Sequence, residues 1–138
     1  MNRALFISGS HLRHRYFFNH LFQFFDEILL IEMKRENVLP TWEGVLDKKD
    51  AINFERHFSI REAVESRLFG DIEKTTEVSE VTLIQVEPHT LNSKAIAEKI
   101  KQFSPEFGLI FGSDLIRSPV LEVLPFETLN LHLGLSPW

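Results

Sequence analysis

The 138-residue chain contains no cysteine. Without a thiol it can form no disulfide, no zinc–thiolate site and no cysteine nucleophile. It also lacks any stretch near the roughly 20 consecutive apolar residues that a membrane-spanning helix needs. The apolar run that follows the first residues is too short for a secretion signal. These absences predict a cytoplasmic protein that does not associate with membranes.

Positive charge is scarce as well, because 15 Lys and Arg face 20 Asp and Glu and give a formal net charge of −5. Proteins that bind DNA or RNA along the backbone present a basic face. The composition therefore argues against DNA as a partner. It leaves room for a small basic pocket around one phosphate group.

Glycine-rich nucleotide signatures are also missing. The turn after the first apolar run contains Gly9 alone, and neither Gly-x-Gly-x-x-Gly nor a P-loop occurs in the chain. A standard dinucleotide or nucleoside triphosphate site thus lacks its fingerprint. Two interpretations of Ser8-Gly9-Ser10 stay open: a simple turn, or backbone amides that face an anion near a helix start.

The chain does contain short apolar segments, and predicted strands alternate with predicted helices along it. Thirteen phenylalanines indicate a large aromatic core. Short apolar runs predict strands at 4–8, 27–32, 81–86, 107–111 and 128–132. Helical spacing predicts helices at 13–25, 52–69 and 93–103, with a further short helix opened by Ser118 and Pro119. Residues 33–50 are mixed and polar, which indicates a surface loop.

This order predicts one α/β domain spanning residues 1–138. Nearly continuous apolar strands are typical of parallel sheets buried on both faces. We therefore expect a mostly parallel, doubly wound, Rossmann-like sheet covered by helices on both faces. Ligands of such sheets bind beyond the carboxyl ends of the strands.

Histidines lie at three of these strand ends, namely His11, His89 and His132. His11 and His14 are three residues apart at the predicted start of the first helix, and Arg13 between them suits an anionic ligand. A zinc site needs three or four converging ligands. The spacing of the histidines does not supply them, so the sequence predicts no metal site.

Asn130 and His132 are two residues apart on the last predicted strand, which turns both side chains to the same face. An asparagine amide can donate to a developing oxyanion. An imidazole can move a proton near neutral pH. The pair suits the attack of an amine on a formyl carbon. Two strand-end residues that form structural hydrogen bonds would give the same pattern.

The surrounding sequence favours the chemical interpretation. The segment from Gly112 to Pro119, followed by the segment from Leu129 to Pro137, resembles the folate-dependent formyltransferase family. That family acts on glycinamide ribonucleotide, methionyl-tRNA and sugar nucleotides. Its pattern Asn-x-His-Pro-Ser-Leu-Leu-Pro is matched at Asn130, His132, Leu135 and Pro137, and the chain departs from it at Leu133, Gly134 and Ser136.

The resemblance implies a role for each matching segment. Asn130 would polarise the formyl oxygen, and His132 would stabilise the intermediate and shuttle protons. The donor would be 10-formyltetrahydrofolate and the acceptor a small-molecule amine, preferably an amino sugar linked to a nucleotide. The pterin pocket would be lined by Phe111, Gly112, Ser113, Asp114, Leu115, Ile116 and Arg117. The acceptor would lie near Ser10, His11 and Arg13.

The family also uses an aspartate well downstream of the Asn-x-His strand, whereas Asp114 precedes that strand and Trp138 is the last residue here. The resemblance therefore implies a domain that is incomplete at its carboxyl end and impaired in formyl transfer by itself. We expect an exposed sheet edge near Leu133–Trp138 that invites self-association. Two alternatives stay open: a non-catalytic or partner-dependent α/β ligand-binding module, and a nucleotide-binding module of flavodoxin type.

Overall fold

A computed structural model describes residues 2–34, 47–70 and 80–132. Five strands form one all-parallel sheet in the order β3-β2-β1-β4-β5. They are β1 (Arg3–Gly9), β2 (Glu27–Met33), β3 (Glu80–Val86), β4 (Phe107–Phe111) and β5 (Glu127–Leu131). The described residues also form three α-helices, α1 (Leu12–Leu21), α2 (Lys48–Phe69) and α3 (Lys94–Phe103). The predicted α/β, Rossmann-like fold is confirmed.

Alternate side chains of β1 belong to two different apolar clusters. Leu5 and Ile7 pack in a cluster that contains three buried residues of α3, namely Ile96, Ala97 and Ile100. Ala4 and Phe6 pack in the other cluster, with Phe18 of α1 and Phe22 just after it. Because successive strand residues point to opposite faces, each set of β1 side chains has its own helix. Helix coverage over the full width of both faces stays a prediction.

The second cluster contains seven of the thirteen phenylalanines, either buried in it or packed against it. The Phe6 ring lies 4.7 Å from the ring of Phe18 and 5.6 Å from that of Phe25, measured between centroids. Phe25 in turn stacks on Phe107 of β4 at 5.7 Å. Aromatic pairs at these separations each add about 0.5–1.5 kcal/mol beyond the burial of their area. The rings therefore hold the segment after α1 against the middle of the sheet.

Two helix boundaries show how local capping works. Ser93 caps α3 by accepting a hydrogen bond from the Ile96 amide at 3.4 Å, as the sequence predicts. The start of α2 was predicted too late, at residue 52. Asp47 accepts hydrogen bonds from the amides of Lys49 and Asp50, both at 2.9 Å, so the preceding Lys-Lys-Asp run forms the first turn of α2.

The carboxyl-terminal third also differs from the prediction in two places. Pro119 does not open a helix, because the 3₁₀ turn that follows begins only at Leu121. The Ser118–Pro119 bond is cis. Strand β5 ends at Leu131, one residue earlier than predicted, so His132 lies just beyond the strand.

Two compact units are distinguished within the chain: residues 1–35 with 74–138, and residues 36–73. The first contains the whole sheet with α1 and α3, and the second contains α2. The prediction of a single domain over 1–138 stays a prediction. Most of the predicted loop at 33–50 and the predicted sheet edge at Leu133–Trp138 lie outside the described residues.

Candidate functional site

The order of the strands places a crevice beside β1. The chain moves outward from β1 through β2 to β3 and then returns to place β4 on the other side of β1. In open parallel sheets, ligands bind at this reversal, outside the carboxyl ends of the strands. A cavity of about 770 Å³ opens there, between the start of α1 and the ends of β4 and β5. We call it the switch-point cavity.

Most residues that the sequence singles out line this cavity. Asn130 and His132 are part of its lining, together with Arg13 from the first turn of α1. The last residue of β4, Phe111, lines the cavity, and the loop after β4 supplies Gly112, Ser113, Asp114, Leu115 and Ile116. Three candidates are not part of the lining, namely Ser10, His11 and Arg117. Ser10 and His11 lie at the turn into α1, where His11 is the N-cap residue.

Strand pairing explains the placement of Asn130. Asn130 pairs in register with Ile110 of β4, and both residues line the switch-point cavity with Thr128. Neighbours on adjacent strands at the same register share a face, so the Asn130 amide faces the cavity. His132 is past the end of the strand ladder but still lines the same space. Both side chains are exposed, so the site is open to solvent.

The first turn of α1 meets the end of β4 at His14, which is only 2% exposed. Its ring lies edge-on to Phe111, with 4.6 Å between the centroids. Gly112 has a positive φ of 73°, and a Cβ there would lie 2.1 Å from Cε1 of His14. Any side chain at Gly112 would therefore collide with the imidazole. The three-residue spacing of His11 and His14 in the sequence does not predict the contact of His14 with the end of β4.

Asn92 anchors the loop after β4 at its far end. Its Nδ2 donates to the Leu115 carbonyl at 3.0 Å, and the Arg117 amide donates to its Oδ1 at 2.6 Å. One side chain thus joins the turn before α3 to two backbone groups of the loop. The sequence does not predict these hydrogen bonds of Asn92, because an asparagine beside an N-cap serine is common in turns and carries no distinct signal.

An ion pair links the exposed side chain of Arg15 in α1 to the buried carboxylate of Glu32. Arg15 donates from Nε and Nη2 to the two carboxylate oxygens of Glu32 on β2, at 2.7 and 2.8 Å. Gln85 of β3 donates to the same carboxylate at 2.9 Å. Burial acts most strongly on the pKa of Glu32 and raises it, but the Arg15 and Gln85 hydrogen bonds and the Arg15 charge together hold that pKa below its ordinary value. The hydrogen bond to Glu32 raises the pKa of Arg15.

A second cavity, of about 570 Å³, has a different character. It borders Asn130 and Leu131 like the first, but its remaining lining is apolar, and we call it the phenylalanine groove. Its lining residues come from α1, the segment after it, β4 and β5: Phe17, Leu21, Phe24, Phe25, Phe107, Leu109 and Leu129. With one polar side chain in its lining, the groove offers little with which to orient a reacting group.

In residues 2–34, 47–70 and 80–132, no three His, Asp or Glu side chains converge as metal ligands. None of the helices in those same ranges is long and apolar enough to cross a membrane. Comparisons of the chain with protein-family models, curated proteins and solved structures find no match.

Proposed function

We propose that this chain binds 10-formyltetrahydrofolate and transfers its formyl group to a small-molecule amine. One observation carries the proposal: Asn130, His132 and the residues from Phe111, at the end of β4, to Ile116 line a single cavity at the carboxyl edge of a parallel sheet. Those are the residues that carry the resemblance to the folate-dependent formyltransferases. A volume of about 770 Å³ falls in the range of small-molecule and cofactor sites.

In the proposed reaction, the side chains of Asn130 and His132 have different roles. The amine nitrogen attacks the formyl carbon, and its electron pair forms the new C–N bond while the carbonyl oxygen becomes an oxyanion. The Asn130 amide donates a hydrogen bond to that oxyanion. His132 accepts the proton that the amine loses and returns it to N10 of the folate as the old C–N bond breaks. The products are the N-formylated acceptor and tetrahydrofolate.

The apolar part of the lining suits the flat ring of the folate. The lining includes four aliphatic side chains, those of Leu115, Ile116, Leu121 and Leu124. Leu115 and Leu121 are 69% and 56% exposed. Covering such side chains with a pterin ring would remove apolar area from water and favour binding. Asn130 and the loop backbone would then fix the orientation of the ring.

Arg13 supports a phosphate-bearing acceptor. It reaches the cavity from the first turn of α1. A guanidinium pairs with phosphate through two hydrogen bonds at once. An amino sugar linked to a nucleotide combines such a phosphate with the amine that the reaction consumes. The net charge of −5 disfavours a tRNA acceptor, which would require a broader basic surface.

Calorimetry with 5-formyltetrahydrofolate, a stable analogue of the donor, tests the proposal. Wild-type protein, Asn130→Ala and His132→Ala would be titrated beside Leu83→Ala, an exposed change on the opposite edge strand β3. We expect binding in the micromolar range, weakened roughly tenfold or more in the two site variants and unchanged in Leu83→Ala. No heat of binding from a folded wild-type chain would refute folate as the ligand.

A non-catalytic ligand-binding module is the second candidate, because Asn130 and His132 are exposed at a sheet edge rather than enclosed. Such a module would bind its ligand in the same cavity with no need for the imidazole. The His132→Ala titration separates the two proposals, since full retention of affinity in this variant, together with no formyl transfer by wild type, favours the binding module. A flavodoxin-type site would instead bind phosphate at Ser8–Ser10.

A further inference from the structure

The loop from Gly112 to Arg117 forms one wall of the switch-point cavity, and residues outside the loop hold it at both ends. At its start, the imidazole of His14 fills the space that a side chain at Gly112 would occupy, with a Cβ-to-Cε1 separation of 2.1 Å. The buried ring thereby limits how far the loop can move toward α1. The loop also begins in a conformation that favours glycine, because Gly112 has a φ of 73° that other residues rarely adopt.

At its far end the loop is held by hydrogen bonds to one side chain. Asn92 uses both atoms of its amide, with Nδ2 donating to the Leu115 carbonyl at 3.0 Å and Oδ1 accepting from the Arg117 amide at 2.6 Å. Asn92 is absent from the lining of the cavity. Two backbone groups of the loop are therefore already bonded to protein before any ligand arrives.

We propose that Asn92 is a positioning residue that fixes the Gly112–Arg117 loop in the shape that accepts the ligand. Its role in binding rests on the function proposed above, whereas its effect on the loop does not. A wall held in place before binding avoids the cost of ordering it when the ligand arrives. With the Leu115 carbonyl and the Arg117 amide engaged by Asn92, the loop would recognise the ligand through its remaining backbone groups.

The chain offers closely matched variants. Asn92→Ala removes both hydrogen bonds to the loop. Asn92→Asp keeps an acceptor for the Arg117 amide but loses the donor to Leu115, so it should restore part of the effect. Thr90→Ala is the control, because Thr90 lies in the same turn and gives up one side-chain hydrogen bond, 2.9 Å to the Glu87 carbonyl, without touching the loop.

Amide hydrogen exchange followed by NMR measures the loop directly in the free protein. We expect the Arg117 amide to exchange roughly tenfold faster or more in Asn92→Ala, because the bond that protects it is gone. Asn92→Asp should remain close to wild type at this amide, and Thr90→Ala should equal wild type. Equal exchange rates for Arg117 in Asn92→Ala and Thr90→Ala would overturn the proposal.

Titration of the same proteins with 5-formyltetrahydrofolate connects the loop to binding. We expect Asn92→Ala to bind roughly tenfold more weakly than wild type, Asn92→Asp to be intermediate and Thr90→Ala to be unchanged. Wild-type affinity in Asn92→Ala would overturn the proposal. If wild type does not bind the analogue while Arg117 exchange rises only in Asn92→Ala, the proposed function fails and the role of Asn92 in the loop stands.

Discussion

Strands β1 and β5 belong to the same parallel sheet but differ in how far their side chains are buried. In β1 the side chains of Ala4, Phe6 and Ile7 are 0% exposed. In β5, Leu129 and Leu131 are 60% and 38% exposed, and Asn130 between them faces the switch-point cavity. The difference shows that the described sheet has its tightest packing at the centre, whereas the polar side chain that faces the cavity lies on an edge strand.

The position of each strand in the sheet explains this contrast. β1 lies between β2 and β4 and is packed by α3 on one set of its side chains and by the α1 segment on the other. β5 pairs only with β4 among the described strands, so a polar side chain there incurs little desolvation cost. Changes in β1 should therefore act on folding, and changes at the end of β5 on binding.

The largest expected effect comes from Phe6→Ala at the centre of the aromatic cluster. Phe6 is fully buried and contacts the rings of Phe18, Phe22 and Phe25. Its truncation leaves a cavity, and we expect the free energy of unfolding to fall by about 3–5 kcal/mol. Urea denaturation followed by circular dichroism measures the change.

Leu129→Ala is the matched truncation on β5. Because Leu129 is 60% exposed, we expect its free energy of unfolding to stay within about 0.5 kcal/mol of wild type. A loss in Leu129→Ala as large as that in Phe6→Ala would contradict the contrast between the two strands. It would indicate that β5 is covered by part of the chain outside the described residues.

Removing the ion pair between Arg15 and Glu32 should lower the free energy of unfolding by less than Phe6→Ala does. The folded-state pKa of Glu32 is below its ordinary value, so the stabilisation is complete above the unfolded value of about 4.3. It is lost as the pH falls through the lower, folded value. Glu32→Gln should lower the free energy of unfolding at neutral pH by roughly 1.5–3 kcal/mol, and the difference from wild type should shrink in acid.

Glu98→Gln provides the comparison for this pH series. Glu98 pairs with Lys101 at 3.4 Å, and both side chains are exposed, at 61% and 58%. Exposed pairs contribute little, so we expect a change within about 0.5 kcal/mol. If wild type and Glu32→Gln differ by the same amount at every pH, the carboxylate of Glu32 is not the titrating group.

The sequence predicts the parallel sheet well because its signal is local. Strands β1, β2 and β4 are short, mainly apolar runs, and the cap at Ser93 needs only neighbouring residues. The start of α2 was predicted too late because the charged side chains after Asp47 suggested a loop, while the capping geometry of that aspartate decided the boundary.

The candidate site was predictable only in part. Asn130 and His132 share a cavity with the loop after β4, as their positions at strand ends suggest. The contacts of His14, Asn92 and Glu32 could not be predicted, because each joins elements that are distant in sequence. Contacts of this kind depend on strand order and register, which a single sequence does not specify.

NMR titration of wild-type protein with 5-formyltetrahydrofolate tests most directly whether the chemistry lies at the edge strand. Amide chemical shifts would be followed for all described residues. We expect amide chemical-shift changes at Gly112–Ile116, Asn130 and His132 that saturate at the same ligand concentration. The amides of Phe6 and its neighbours in β1 should change little. Shifts confined to the phenylalanine groove, or the absence of shifts at Asn130 and His132, would contradict it.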